Sequence, residues 1–165
     1  MQLTGKQITG KRIIYNYSEE GVQQQGVDLR VKEIRKVNEK MSGYVPREGK
    51  TKIPTSDTIE LFDDAYVLKP GYYEVTFEEG CSIPNNATLQ IKTRSSLVRC
   101  GAICHSGQFD GGFHTENVGC FLHVILPISI AKGARLAQAL VFESYEVDDD
   151  KMYNGQWQND NQRKV

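Results

Sequence analysis

Turn signals interrupt this chain so often that no long element fits between them. Lys69-Pro70-Gly71, Ile83-Pro84-Asn85-Asn86, Asp110-Gly111-Gly112 and Lys132-Gly133 each combine residues that end or reverse a strand. Between them lie short runs with strand character. Tyr72-Tyr73-Glu74-Val75-Thr76-Phe77 is aromatic and β-branched, and Thr88-Leu89-Gln90-Ile91-Lys92-Thr93 alternates polar with apolar. Residues 121–126 and 137–142 read as buried strands. This rhythm predicts an all-β domain, closed or sandwiched. Helical patterning is confined to residues 95–100, where Ser95 suits an N-cap. Residues 36–56 are polar and contain Gly43, Pro46, Gly49 and Pro54, which predicts a surface excursion between two strands.

A length of 165 residues suffices for one domain with a proper core. The formal net charge of −1 argues against long nucleic acid as a partner, so an acidic ligand needs a local basic cluster. The N-terminus has no apolar signal core. The longest apolar stretch, 121–131, is broken by His123 and Pro127 and falls well short of the roughly 20 residues a membrane helix needs. A soluble cytoplasmic protein is expected. Cys81, Cys100, Cys104 and Cys120 form no CxxC pair, so reduced thiols are the expectation. Cys100 and Cys104 with His105 lack both the spacing and the glutamate of the zinc signature H-x-E with P-C-x-x-C.

The last segment is different in kind. From Asp148 the chain is too polar to hold a core strand, yet it carries the only tryptophan, Trp157. A mobile tail is the plain alternative. A flexible arm that covers a ligand with one large aromatic is the functional one. The expected division is a body over 1–147 and a C-terminal arm over 148–165.

Four stretches carry chemistry. Gly26-Val27-Asp28-Leu29-Arg30 places an acid inside a strand-like run, where an edge aspartate bonding a turn is the plain alternative. Thr93-Arg94-Ser95-Ser96-Leu97 sets a planar fork of donors and two hydroxyls at a helix start, a combination suited to phosphate oxygens. A simple cap explains Ser95 but not Arg94 and Ser96. In Ser106-Gly107-Gln108-Phe109-Asp110-Gly111-Gly112-Phe113 an acid sits among glycines that let backbone approach a ligand. Taken alone, D-G-G is equally a hairpin turn. Lys132-Gly133-Ala134-Arg135-Leu136-Ala137-Gln138 is a basic turn entering a buried strand.

In this order, followed by a glycine-aromatic tail, these motifs resemble the trimeric dUTPase and dCTP deaminase superfamily. Leu68-Lys69-Pro70-Gly71 and Ile83-Pro84 add to the likeness, which spans roughly residues 25–159 and leaves 36–56 outside. The resemblance implies a jelly-roll-like β-barrel and a homotrimer with active sites between chains. It implies that Arg94, Ser95, Ser96 and Gln138 contact phosphates of a deoxynucleoside triphosphate. Asp110 would position the attacking water and meet the sugar 3′-hydroxyl. Phe113 stands where the family has a tyrosine against the deoxyribose. Gly107 and Gly119 would let backbone read the base, Asp28 would help hold hydrated Mg²⁺, and Trp157 would stack on the base.

Two activities share that scaffold. The deaminases use a glutamate on the strand after the aspartate loop. Here that strand reads Asn117-Val118-Gly119-Cys120-Phe121-Leu122-His123-Val124 and has none, while Glu116 precedes it. Arg99 and the tail Tyr153-Asn154-Gly155-Gln156-Trp157-Gln158 are closer to the deaminase pattern. A missing catalytic acid is harder to replace than a variant tail, so the expectation is hydrolysis of dUTP to dUMP and pyrophosphate. The alternatives are a dCTP deaminase, a bifunctional deaminase and dUTPase, and a catalytically weak relative that binds nucleotides or a protein partner.

Overall fold

The computed structural model describes residues 1–158. Residues 159–165 of the expected arm lie outside the described residues. The elements are, in order, α1 (Gly5–Gly10), β1 (Ile14–Tyr15), β2 (Val27–Val37), β3 (Ser56–Thr58), β4 (Ala65–Leu68), β5 (Gly71–Phe77), β6 (Gly80–Ser82) and β7 (Ala87–Thr93). There follow α2 (Ser95–Arg99), β8 (Ala102–His105), β9 (His114–Thr115), β10 (Gly119–Val124), β11 (Ile128–Ala131) and β12 (Arg135–Glu143). The expected all-β architecture is present.

One antiparallel sheet dominates, in the order β7-β12-β2-β5-β10-β8, with β3 paired to β2. Its two end strands meet through a side chain. The Thr93 hydroxyl accepts from the Cys104 amide at 3.0 Å and donates to the Cys104 carbonyl at 3.1 Å. That contact brings the sheet close to a closed barrel, which leaves little open edge. A smaller sheet, β1-β6-β9, and the ribbon β11-β4 complete the fold.

Alternation along the strands explains the core. Tyr73, Val75 and Phe77 of β5 point inward, as do Leu89 and Ile91 of β7 and Leu122 and Val124 of β10. Each such side chain contributes about 1.5–3 kcal/mol by leaving water. Glu79, 0% exposed, is, with Asp28, one of two buried carboxylates among the described residues. Its carboxylate accepts from the Arg30 amide at 2.8 Å and from Arg30 Nε at 2.7 Å. Burial pushes its pKa up, and the Arg30 bonds oppose that shift.

Three local expectations change. The strand expected over 121–126 ends at Val124, and Ile125 and Leu126 are exposed because both amides turn to the Gly101 carbonyl. Arg94, extended at φ −70°, is the N-cap of α2; Ser95 already lies inside the helix. The unexpected α1 owes its start to a capping box, with Thr4 and Gln7 bonding each other's backbone and Ile8 buried beneath. The excursion over 36–56 does leave and rejoin paired strands, since Val37 of β2 faces Ser56 of β3.

Candidate active site

Asp28, on β2, lies directly across from Gln138 on β12, which in turn faces Lys92 on β7. Three sequence motifs thus converge because their strands are neighbours in the sheet. Asp28 is 1% exposed, and both of its oxygens are engaged. Oδ1 accepts from Gln138 Nε2 at 3.1 Å. Oδ2 lies 3.4 Å from Arg94 Nε and 3.3 Å from Arg135 Nη1. Arg94 Nη1 also donates to the Arg135 carbonyl at 3.2 Å, and Arg135 Nη1 to the Glu20 carbonyl at 2.9 Å. The register shift between Arg135 and Ala137 is a bulge that turns Arg135 toward Asp28. The two arginine side chains keep 33% and 35% of their surface, so each has donors left for a ligand.

Asp28, expected to help hold hydrated Mg²⁺, already serves two guanidiniums and an amide with its oxygens, and so acts as an internal counter-ion that aims two arginines. Among the described residues no cluster of three or more His, Cys, Asp and Glu could hold a metal ion. Arg135 is the site residue that motif reading passed over. Its only signal was its place three residues before Gln138, and the bulge that aims it is not written in residue type.

Ser95 and Ser96 are exposed at the start of α2. Ser96 and Arg135 also line a cleft of about 170 Å³ beside α2, with Leu97, Ile128 and Leu136 as apolar walls.

Asp110 stands elsewhere. Phe109 pairs backbone to backbone with Leu89 at 2.9 and 3.0 Å, so its loop is tied to the start of β7. Asp110 is exposed, and its Oδ1 accepts from Gln108 Nε2 at 3.0 Å. Gly112, at φ +89°, turns the loop as few other residues can. Gly107 is exposed in the same loop, with open space where a Cβ would stand, and Gly119 opens β10 opposite Thr76. Continuing the His105–Phe121 register by two residues on each strand brings Gly107 level with Gly119.

Phe113, expected beside the deoxyribose, is packed between two other rings. It is 7% exposed, with the rings of Phe109 and Tyr153 at 5.2 and 5.4 Å. Tyr153 belongs to the arm, whose described part lies against this loop. The Tyr153 amide donates to the Gly111 carbonyl at 2.7 Å. Trp157, 36% exposed, donates its amide to Tyr153 Oη at 3.0 Å.

The structure therefore brings Asp28, Arg94, Arg135 and Gln138 together and leaves Asp110 apart. From Leu89 to Arg94 the chain runs five residues along and just past β7. At ~3.3 Å per residue, that places the Leu89 and Arg94 backbones roughly 17 Å apart.

Known proteins bear on this geometry. The profile of the dCTP deaminase-like family matches residues 2–145. A deoxyuridine 5′-triphosphate nucleotidohydrolase of Methanocaldococcus jannaschii is 35% identical over 143 residues, covering 84% of this chain and 89% of its own. A probable enzyme of the same name from Methanococcoides burtonii is 31% identical over 143 residues, covering 85% and 82%. Among solved structures, the 2′-deoxycytidine 5′-triphosphate deaminase of Agrobacterium tumefaciens superposes with a TM-score of 0.62 at 16% identity. That likeness covers 87% of this chain and 48% of the deaminase, about half its length, and it speaks to the fold alone. A near-closed antiparallel barrel, a family profile spanning most of the chain and relatives alike over most of their length lead to one assignment: the chain belongs to the dCTP deaminase-like family.

Proposed function

We propose that the protein hydrolyses dUTP to dUMP and pyrophosphate. The relatives named for that reaction support it across most of the chain. One observation carries the choice between reactions. β10, the strand after the Asp110 loop, contains no carboxylate from Gly119 to Val124. The deaminases carry their proton-shuttling glutamate on that strand, and this one has none.

In this reading Arg94 and Arg135 receive the phosphate chain, with Gln138, Ser95 and Ser96 as further donors. Guanidinium forks neutralise charge gathering on the leaving pyrophosphate. Asp110 orients a water molecule and takes its proton as the water oxygen bonds to phosphorus and the bond between the α- and β-phosphates breaks. Mg²⁺ bound with the triphosphate would neutralise charge on the leaving pyrophosphate, and Asp28 would hold Arg94 and Arg135 toward it. Phe113 and the backbone at Gly107 and Gly119 border the sugar and base, and Trp157 covers the base.

Asp110 stands in a loop tied to the far end of β7 from Arg94, which suits assembly as a homotrimer, with Asp110 of one chain completing the phosphate cluster of another. Residues 1–147 form the catalytic body and 148–165 the arm. The free thiols of Cys81, Cys100, Cys104 and Cys120 suit the reducing cytoplasm. No helix among the described residues is long and apolar enough to cross a membrane.

Product analysis after separate incubations with dUTP and dCTP tests the reading. The expected result is dUMP and pyrophosphate from dUTP, with no ammonia from dCTP. Ammonia release from dCTP overturns it.

A further inference from the structure

The excursion over 36–56 has no part in the motifs described above, yet it makes a specific contact. Tyr44 and Lys52 bridge it, each amide donating to the other's carbonyl at 2.9 Å. In an extended segment successive residues aim their backbone groups at opposite edges. With Lys52 turned toward Tyr44, the N–H and C=O of Thr51 face outward from the bridge.

Gln156 of the arm fills that edge. Its Oε1 accepts from the Thr51 amide at 2.9 Å, and its Nε2 donates to the Thr51 carbonyl at 2.9 Å. Only a carboxamide side chain offers an acceptor and a donor at the spacing of a backbone peptide. Two residues on, Gln158 does the same to the catalytic loop. Its Oε1 accepts from the His114 amide at 3.1 Å and its Nε2 donates to the Gly112 carbonyl at 2.8 Å. The two amides bracket Trp157.

We propose that the excursion is the docking site for the C-terminal arm of the same chain, and that Gln156 and Gln158 form a two-point clamp that sets Trp157 beside the Asp110 loop. Gln158 fastens the arm to the loop and Gln156 fastens it to the excursion. Tyr153 packs edge-on against Phe113 between them. Mostly polar residues over 148–158 give the arm no apolar core of its own, so paired amides, the Tyr153 amide on the Gly111 carbonyl and one aromatic anchor hold it. The clamp rests on the chain's own contacts and stands or falls apart from the proposed hydrolysis.

The test uses the full chain without nucleotide and reads two signals. One is amide exchange at Thr51 by NMR. The other is iodide quenching of Trp157, the sole tryptophan. Gln156→Ala removes both bonds to Thr51 from an exposed position, so folding is expected to survive. Thr51 exchange should rise about tenfold, the scale of lost neutral hydrogen bonds, and quenching should increase. Thr51→Pro removes the amide half of the same contact from the other side, and the two changes should be non-additive at Trp157. Unchanged Thr51 exchange and unchanged quenching in Gln156→Ala overturn the proposal. So does recovery of Thr51 protection when Gln156→Ala chains are mixed with wild-type chains, which would assign the docked arm to a neighbouring copy. Loss of dUTP hydrolysis with the clamp signals intact, or the reverse, separates this proposal from the catalytic reading.

Discussion

Asp28 Oδ2 lies 3.4 Å from the Arg94 guanidinium, and the same oxygen lies 3.3 Å from that of Arg135, so one buried carboxylate holds two cations at a shared edge. Removing one member of a fully buried ion pair costs about 3–5 kcal/mol. Here the arginines are about a third exposed and water recovers part of that cost. Asp28→Asn should therefore lose about 1–3 kcal/mol in urea denaturation, with a raised KM for dUTP because the arginines lose their aim. A variant with wild-type stability and a raised Mg²⁺ requirement would return Asp28 to the role of metal ligand.

Arg135 joins the phosphate cluster in this reading, and its loss should be felt in binding. Charge-assisted bonds are worth about 1.5–3 kcal/mol, so Arg135→Ala should raise KM roughly tenfold to hundredfold. Arg135→Lys should recover little, since an ammonium cannot bridge Asp28 and a phosphate as a planar fork does. Steady-state kinetics on both variants decide it. A KM within twofold of wild type in Arg135→Ala would remove this residue from the site.

Asp110 is exposed and bonded only locally, to Gln108, so replacing it should not disturb folding. Asp110→Asn keeps the shape and weakens the base. Turnover should fall by about 10²–10⁴-fold while the melting temperature and the affinity for a non-hydrolysable analogue hold. Near-normal turnover would take Asp110 out of the mechanism.

Trp157 reports on arm position by its own emission. Base stacking is worth about 1–3 kcal/mol, so Trp157→Ala should lower kcat/KM roughly tenfold to hundredfold, and Trp157→Phe should retain much of the activity. Addition of a non-hydrolysable dUTP analogue with Mg²⁺ should change the emission of the wild-type protein. If a saturating analogue leaves both the spectrum and its quenching unchanged, Trp157 does not cover the base.

The cysteines should divide by burial. Desolvation pushes the Cys81 thiol up to about 12. A raised value means the reactive thiolate appears only as pH climbs toward it, leaving about one molecule in ten thousand ionised at pH 8. Cys100 is exposed. Iodoacetamide at pH 8 should label Cys100 in the native protein and spare Cys81 until denaturant is added. Equal labelling rates would show that Cys81 is reached by local opening.

Much was legible because period-2 alternation and turn residues act locally. Tyr72 to Phe77 and Thr88 to Thr93 can bury one face only as strands, and the glycines and prolines between them allow no longer element. The ordered motifs likewise marked Arg94, Ser95, Ser96, Asp110 and Gln138 as residues to watch, since a donor fork, hydroxyls and a lone loop acid are chemistry written in residue type. What they could not convey was who stands beside whom. Asp28 reads as a free carboxylate in sequence, and only the pairing of β2 with β12 brings Gln138 and Arg135 onto its oxygens. The bulge that aims Arg135 and the close approach of β7 to β8 through Thr93 are equally products of sheet register. The same holds for the excursion. Its polar, glycine- and proline-containing sequence says loop and no more, whereas its grip on Gln156, 105 positions along the chain from Thr51, depends on the intervening chain folding to bring the two together. Local conformational preference is set within a few residues, but a hydrogen bond between distant segments exists only after the whole barrel has closed.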